Sequence, residues 1–436
     1  MQKIYNALHQ AKGGVVDEPD LRFSLANWSR AFTLRERAAG WRAAGGSSIP
    51  PEPPENTDRA ARRLARWQAQ SPFDADGLFP RRLAQEGIGV DDLRDLLAES
   101  PEALAARVET RPSWLVQLER AWTTPSTAPF PLTPDLLDGS RQAGFLEAVR
   151  PLLDAAYSDL TAGLHALAER FPSPPFDPAT AGGLLARNLP LSLVLLLNRT
   201  MVLELHLAGH AEQLTGATPE ERFQSFIDSL RDPEAALSLL RQYPVLARQV
   251  VETASRWVAS SLEILGHLAA DAGRLRAAFS PGREGDIGDI GDLGVLTEIR
   301  TGQGDFHRGG RSVALLRFDS GLGLVYKPRP LTMDAAFQDL LDWTGARGFA
   351  PVFRRLQVLD IGDHGWVERV AAAPCASGEE VERFYLRQGG YLALLYALSA
   401  VDMHHENLIA VGEHPVLVDL EALFHPPRSM TGPARS

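Results

Sequence analysis

The stretch Asp402-Met-His-His-Glu-Asn407 decides the reading of this chain. Leu408-Ile-Ala-Val follows it as a short apolar strand, and Asp419 closes a second one in Pro415-Val-Leu-Val-Asp-Leu-Glu421. An acidic residue, an Asn at the spacing Asp-x4-Asn and a carboxylate at a strand end form the residue set of a kinase catalytic loop and its metal-binding strand. Asp402 is placed to take the proton of an attacking Ser or Thr hydroxyl. Asn407 and Asp419 supply the hard oxygens that Mg²⁺ prefers. His404 is unusual in such a loop, and either stabilises transferred phosphate or orients Asp402. Glu421 projects from the same face of an extended segment as Asp419. It reads as a further metal or proton-transfer group, or as a salt-bridge partner.

Upstream, Leu324-Val-Tyr-Lys327-Pro-Arg329 puts a Lys at the end of an apolar strand, where a phosphate-binding Lys belongs. A Lys at a strand end also snorkels to solvent, and it is the downstream loop that favours the first role. Arg329 either assists with phosphate or sits on the surface. Gly302-Gln-Gly-Asp305-Phe-His307-Arg-Gly-Gly310-Arg311 falls between two predicted strands. It is either a polar hairpin loop or a loop whose glycines let the backbone approach phosphate, with Arg311 neutralising charge. It is not a Walker A loop, because no Gly-Lys-Ser/Thr follows. Lys327, Asp402, Asn407 and Asp419 together predict an ATP and Mg²⁺ site.

The composition sets bounds. The chain has 436 residues, 44% apolar and 23% charged, which fits two or three domains of a globular protein. A net charge of −11 argues against a general nucleic-acid or anionic-membrane binder. Cys375 is the single cysteine, which excludes an intrachain disulfide and a Cys-rich zinc site. The N-terminus has no signal-peptide pattern. The longest apolar run, Leu189 to Leu197, contains Pro190 and Ser192, and Asn198, Arg199 and Glu204 follow it. It reads as a buried helix too short to span a bilayer, and a cytoplasmic location is expected.

Periodicity predicts an α+β chain. Residues 1–280 read as a predominantly helical region. Gly45 to Glu55 is a Gly/Ser/Pro linker, and Thr123 to Pro134 is a second Pro-rich break. Thr218-Pro-Glu-Glu is a helix start with its N-cap, its N1 proline and its first-turn acids. Residues 281–375 read as a β-rich small lobe carrying Lys327. Its expected strands are Val295–Arg300, Ser312–Phe318, Leu322–Lys327, Val352–Leu359 and Gly365–Val370, with a helix around Phe337, Leu340, Leu341 and Thr344 stopped by Gly345. The repeat Gly285-Asp-Ile-Gly-Asp-Ile-Gly-Asp292 reads as a loop. Residues 376–436 read as the beginning of a large lobe, with a long helix through Phe384, Tyr391, Leu395 and Leu398 before the catalytic loop.

Four segments resemble the dehydratase domain of the class II lanthipeptide synthetases, the LanM family: Gly304-Asp-Phe-His-Arg-Gly-Gly-Arg311, Leu324-Val-Tyr-Lys-Pro-Arg329, Asp402-Met-His-His-Glu-Asn-Leu-Ile-Ala410 and Pro415-Val-Leu-Val-Asp-Leu-Glu-Ala-Leu-Phe-His-Pro426. Leu214-Thr-Gly-Ala-Thr-Pro-Glu-Glu-Arg-Phe223 and Tyr243-Pro-Val-Leu-Ala-Arg248 look like the same family, and the likeness is most specific from about residue 200 to 426. The resemblance implies a fold similar to lipid kinases, embellished with helices. It implies ATP- and Mg²⁺-dependent phosphorylation of Ser and Thr in a ribosomally made precursor peptide with a leader. Elimination of the phosphate then gives dehydroalanine and dehydrobutyrine. On matching positions Lys327 would bind ATP phosphates, Asp402, His404 and Asn407 would form the catalytic loop, and Asp419 would hold Mg²⁺. Asp305 and His307 match a family loop linked to phosphorylation or elimination, with Arg311 in the same motif. Members of the family continue into further kinase-like sequence, with an Arg and a Thr used for elimination, and then into a zinc-bearing cyclase. This chain ends at Ser436. The expectation is an incomplete dehydratase whose remaining portion and cyclase act in cis or in trans, with elimination either kept or lost without them. The alternatives are a phosphotransferase that stops at phosphorylation and a non-catalytic module that binds the leader.

Overall fold

Side chains cap several of the helices that fill the described chain up to Phe279. A computed structural model describes residues 21–43, 53–75, 77–132, 140–279 and 293–424, and gives only the backbone of residues 40, 42, 43 and 304–308. The helices there are α1 Leu25–Trp28, α2 Leu34–Ala43, α3 Pro54–Gln68, α4 Leu78–Gln85, α5 Val90–Ala98, α6 Pro101–Arg107, α7 Ser113–Thr123, α8 Arg150–Arg170, α9 Pro178–Ala186, α10 Leu189–His210, α11 Pro219–Leu230, α12 Pro233–Gln242 and α13 Pro244–Phe279. Thr218 caps α11 as its sequence predicts. Its hydroxyl accepts from the Glu221 N–H at 3.1 Å, and the Glu221 carboxylate accepts in return from the Thr218 N–H at 3.1 Å. Ser100, Asp177 and Asp232 cap α6, α9 and α12 more simply, each side chain accepting one backbone N–H and each followed by proline at the helix start.

The chain divides into two compact units. One comprises residues 1–159 and 189–259, the other residues 160–188 and 260–436. The first unit is helical and its core is built from apolar stripes. One cluster joins Ala38, Leu64, Phe79, Leu83, Ile88, Leu93 and Leu96.

The second unit holds the sheet. Strands β1 Leu296–His307, β2 Arg311–Phe318, β3 Gly323–Lys327, β4 Val358–Asp360 and β5 Gly365–Glu368 pair antiparallel in the order β1-β2-β3-β5-β4. Helix α14, Thr332–Ala346, stands between β3 and β4, and α15, Gly378–Ala397, follows β5. A separate hairpin, β6 Leu408–Val411 and β7 His414–Leu417, closes the described chain. Alternation along β3 sends Tyr326 to one face and Val325 and Lys327 to the other. The Tyr326 face packs on residues of α13, where its hydroxyl meets His267 Nδ1 at 2.9 Å. The opposite face packs on the β6–β7 hairpin, with Val325 and Val367 clustered against Val411, Val416 and Val418. A third cluster, Phe337, Leu341, Tyr391, Leu417, Leu420 and Leu423, joins α14, α15 and the segment after β7. The chain is therefore α+β, with its helices first and its sheet last.

Several local expectations change. The segment from Val352 to Gln357 is not strand, and only Val358–Asp360 pairs with β5. Side chains take its ladder groups instead: Arg387 Nε donates to the Val352 carbonyl at 2.7 Å, and the Leu356 N–H donates to Gln338 Oε1 at 2.8 Å. Gly345 does not stop α14, which runs to Ala346. The turn that leaves it has Gly348 at φ +91°, a conformation costly for any other residue. The Gly302–Gly310 segment is not an open loop. β1 extends to His307, pairs it with Arg311 and absorbs three register shifts, two of them beyond Arg300, while Gly309 and Gly310 at φ +82° and +79° make the turn. The stretch Pro178–His210 has mean hydropathy 1.5 over its apolar window, so by length and composition it passes the test for crossing a membrane that the shorter run Leu189–Leu197 fails. Half of that window is buried within the protein, as in a core helix. Residues 1–20, most of the 45–55 linker, the 285–292 repeat and residues 425–436 lie outside the described residues.

Candidate active site

Lys327 ends β3 with its side chain buried, 7% exposed. Its ammonium donates to Asp334 Oδ1 at 2.9 Å and to the Val418 carbonyl at 2.7 Å. Asp334 lies in the first turn of α14 and is 3% exposed. Its second oxygen accepts from Arg329 NH1 at 2.7 Å. A buried carboxylate is tolerable only with such partners, and here it has two cations. Asp360 fixes the start of α14 by accepting from the Leu331 N–H at 3.0 Å and the Thr332 hydroxyl at 2.6 Å. Burial works against the Asp360 charge. These bonds and one from the Gly362 N–H more than offset it and hold its pKa below the usual carboxylate value.

The loop before β6 is tied to the same place. Asp402 is exposed and sits at φ +60°, a left-handed conformation that Asp and Asn tolerate better than most residues. Asn407 Nδ2 donates to the Asp402 carbonyl at 2.9 Å, and the Val418 N–H donates to the Asn407 carbonyl at 3.1 Å. The Val401 N–H donates to Ala422 at 3.1 Å. His404 is exposed, and its Nδ1 accepts from the Glu406 N–H at 3.3 Å. Val418 is thus a junction, its N–H on Asn407, its carbonyl on Lys327, and Asp419 next in the chain. Arg329 spans the outer side, with NH2 3.7 Å from Asp419 Oδ1 and Nε 3.4 Å from Glu421 Oε2.

Lys327, Asn407, Asp419 and Glu421 are therefore brought together, with Asp402 joined to them through Asn407. Arg311 is engaged elsewhere: its guanidinium pairs with Glu263 of α13, Nε at 2.9 Å and NH2 at 2.9 Å. Asp305 and His307 lie on β1, and only their backbone is described. Sequence reasoning missed Asp334. The available signal was an acid in the first turn of the helix after the Lys strand, since a lysine buried at a strand end needs an anionic partner.

Among the described residues no three His, Cys, Asp or Glu side chains are grouped to hold a metal alone. Asp419, Asn407 and Glu421 nonetheless offer the hard-oxygen donor types that suit Mg²⁺, which takes few protein carboxylates and completes its shell with water and phosphate. The Arg329 guanidinium lies against two of these groups as a cation would.

A second polar cluster lies behind the sheet. His364 is buried with both ring nitrogens on carboxylates, Nε2 2.8 Å from Asp271 Oδ2 and Nδ1 2.6 Å from Asp363 Oδ1. Trp366 Nε1 donates to the same Asp271 oxygen at 2.9 Å. Burial disfavours the imidazolium, but bonds to Asp271 and Asp363 more than offset it, so the His364 pKa is raised. His267 stacks on it with ring centroids 3.7 Å apart, and burial together with the His364 charge lowers its pKa.

Comparison with known proteins bears on this geometry. A family model described as a domain of unknown function, DUF4135, matches residues 243–436, which include the sheet, Lys327 and the loop. The lacticin 481/lactococcin biosynthesis protein LcnDR2 of Lactococcus lactis subsp. lactis is 27% identical over 238 residues. The likeness to the class II lanthipeptide synthetases stands. The matched region is 52% of this chain and 24% of LcnDR2, so the chain spans about a quarter of that relative's length.

Proposed function

We propose that this chain modifies a lanthipeptide precursor by ATP-dependent phosphoryl transfer, in a kinase-like arrangement of two lobes. The observation that carries the reading is the placement of Lys327 between Asp334 and Val418, with Asp419 the next residue. A strand lysine paired to an acid on the following helix and set beside a metal carboxylate is the arrangement that phosphoryl transfer needs. The sequence likeness to a lacticin 481/lactococcin biosynthesis protein supports a precursor peptide as the acceptor.

In this reading Lys327 neutralises the ATP phosphates, held in line by Asp334. Asp402, exposed on its loop, orients and deprotonates a Ser or Thr hydroxyl. Asn407 and Asp419 would hold Mg²⁺, with Glu421 beside them. The bound cation supplies charge neutralisation across the phosphates. His404, exposed two residues after Asp402, would meet the transferred phosphate. Asp305, His307 and Arg311, on the β1–β2 hairpin, would serve the peptide or the leaving phosphate. The reaction is proposed to run in the cytoplasm, where ATP is supplied.

Phosphate elimination to dehydroalanine or dehydrobutyrine needs a base for a weakly acidic α-proton and a stabilised enolate. In this reading the cluster around Lys327 serves the phosphorylation that precedes elimination. This favours, as a second reading, a phosphotransferase that stops at the phosphopeptide. Incubation with ATP, Mg²⁺ and a Ser/Thr-rich precursor, followed by mass spectrometry, separates the two. Water loss supports dehydration, and added phosphate alone supports the second reading. An unmodified peptide with no ATP consumed, from folded protein, would leave the chain as a leader-binding module.

A further inference from the structure

Arg329 occupies an unusual position. One guanidinium spans three carboxylates, but unevenly. The contact to Asp334 Oδ2 is a hydrogen bond of 2.7 Å, whereas Asp419 Oδ1 and Glu421 Oε2 lie at 3.7 and 3.4 Å. The inner contact is buried, and the two outer carboxylates are about half exposed. A planar fork of five donors can keep one edge fixed and turn the other. Counting side chains, Lys327 and Arg329 face Asp334, Asp419 and Glu421, two positive charges against three negative. A divalent cation placed on Asp419 and Glu421 would meet the Arg329 charge at close range. Nucleotide phosphates would give that charge another partner.

We propose that Arg329 is a positioning residue that stands in for the divalent cation on Asp419 and Glu421 in the nucleotide-free protein. It yields the place only when phosphate arrives to receive its outer edge. The inference rests on the phosphoryl-transfer reading and deepens it. Arg329 thereby couples the two ligands: the cation alone binds weakly, the cation with nucleotide binds tightly, and by linkage each raises the affinity of the other. The site would then be loaded by the metal–nucleotide complex rather than by the metal first.

The test is a Mn²⁺ titration followed by electron paramagnetic resonance, with and without a β,γ-methylene ATP analogue. It uses the full chain and its Arg329→Gln, Arg329→Lys and Asp419→Asn variants. Arg329→Gln should bind Mn²⁺ alone roughly three- to tenfold more tightly than the unmodified chain, and its gain in Mn²⁺ affinity from the analogue should shrink. Arg329→Lys should fall between, because it keeps the charge but not the fork. The Asp334–Lys327 pair remains in both variants and keeps the region folded, which circular dichroism checks. Unchanged or weaker Mn²⁺ binding by Arg329→Gln overturns the inference while leaving the site intact. Mn²⁺ binding that ignores Asp419→Asn in every background overturns the functional reading, and this inference with it.

Discussion

Lys327 donates to the carbonyl of Val418 at 2.7 Å across a separation of 91 residues. This bond joins the sheet to the loop–hairpin segment at the residue before Asp419. The lysine therefore has two jobs in one position, since it fixes the segment after β7 that carries Asp419 and it presents positive charge beside it.

Lys327→Met should remove nucleotide-dependent turnover and also destabilise the fold. Breaking a buried ion pair outright costs about 3–5 kcal/mol. Arg329 remains on Asp334, so a loss of about 1–3 kcal/mol is expected here. Urea denaturation gives the stability change, and calorimetry with an ATP analogue gives the binding loss. A variant as stable as the parent would contradict the buried pairing.

Asp402→Asn should separate chemistry from folding. Asn tolerates φ +60° as Asp does, and the side chain is exposed, so the melting temperature should stay close to that of the parent. Loss of a general base should lower the phosphorylation rate by roughly 10²–10⁴. Single-turnover phosphorylation of a precursor peptide measures it, and a rate within a factor of about three of the parent would reassign the base.

Gly365 pairs with Lys327 across β3 and β5. A Cβ there would lie 2.5 Å from the Leu331 side chain and 2.7 Å from the backbone oxygen of Leu359. The backbone atom cannot step aside as a side chain does. Gly365→Ala should therefore cost about 1–3 kcal/mol and lower nucleotide affinity by shifting the end of β3. An equilibrium unfolding curve that superimposes on that of the parent would refute this.

The His364 network should give stability a pH dependence in both directions. The His364 pKa is raised, so its contribution is complete below an unfolded value of about 6.5 and is lost as pH rises through the folded value. For Asp271, burial raises the pKa, but bonds from His364 and Trp366 outweigh it, and the net shift is downward. Its contribution is complete above an unfolded value of about 3.9 and is lost as pH falls through the folded value. Asp271→Asn should cost about 3 kcal/mol near pH 6 and flatten the alkaline limb. Urea midpoints between pH 4 and 9 provide the check.

The sequence by itself determined the elements whose information is local. The Thr218 cap, the alternation through Leu324 and Tyr326, and the Asp402 to Asn407 spacing each depend on neighbours a few residues away. So does the order of helices before strands, and the structure keeps these features. The tertiary structure alone decided the partners. Asp334 joined Lys327 and Arg329, Arg311 joined Glu263, and His364 settled between Asp271 and Asp363 because chain closure brought distant segments together. The segment before β4 lost its strand for the same reason, since Arg387 and Gln338 arrived from elsewhere to take its hydrogen bonds. Spacing along a chain encodes dihedral preference and periodicity. It does not encode which charge will be buried opposite which, because that is set by the packing of whole elements.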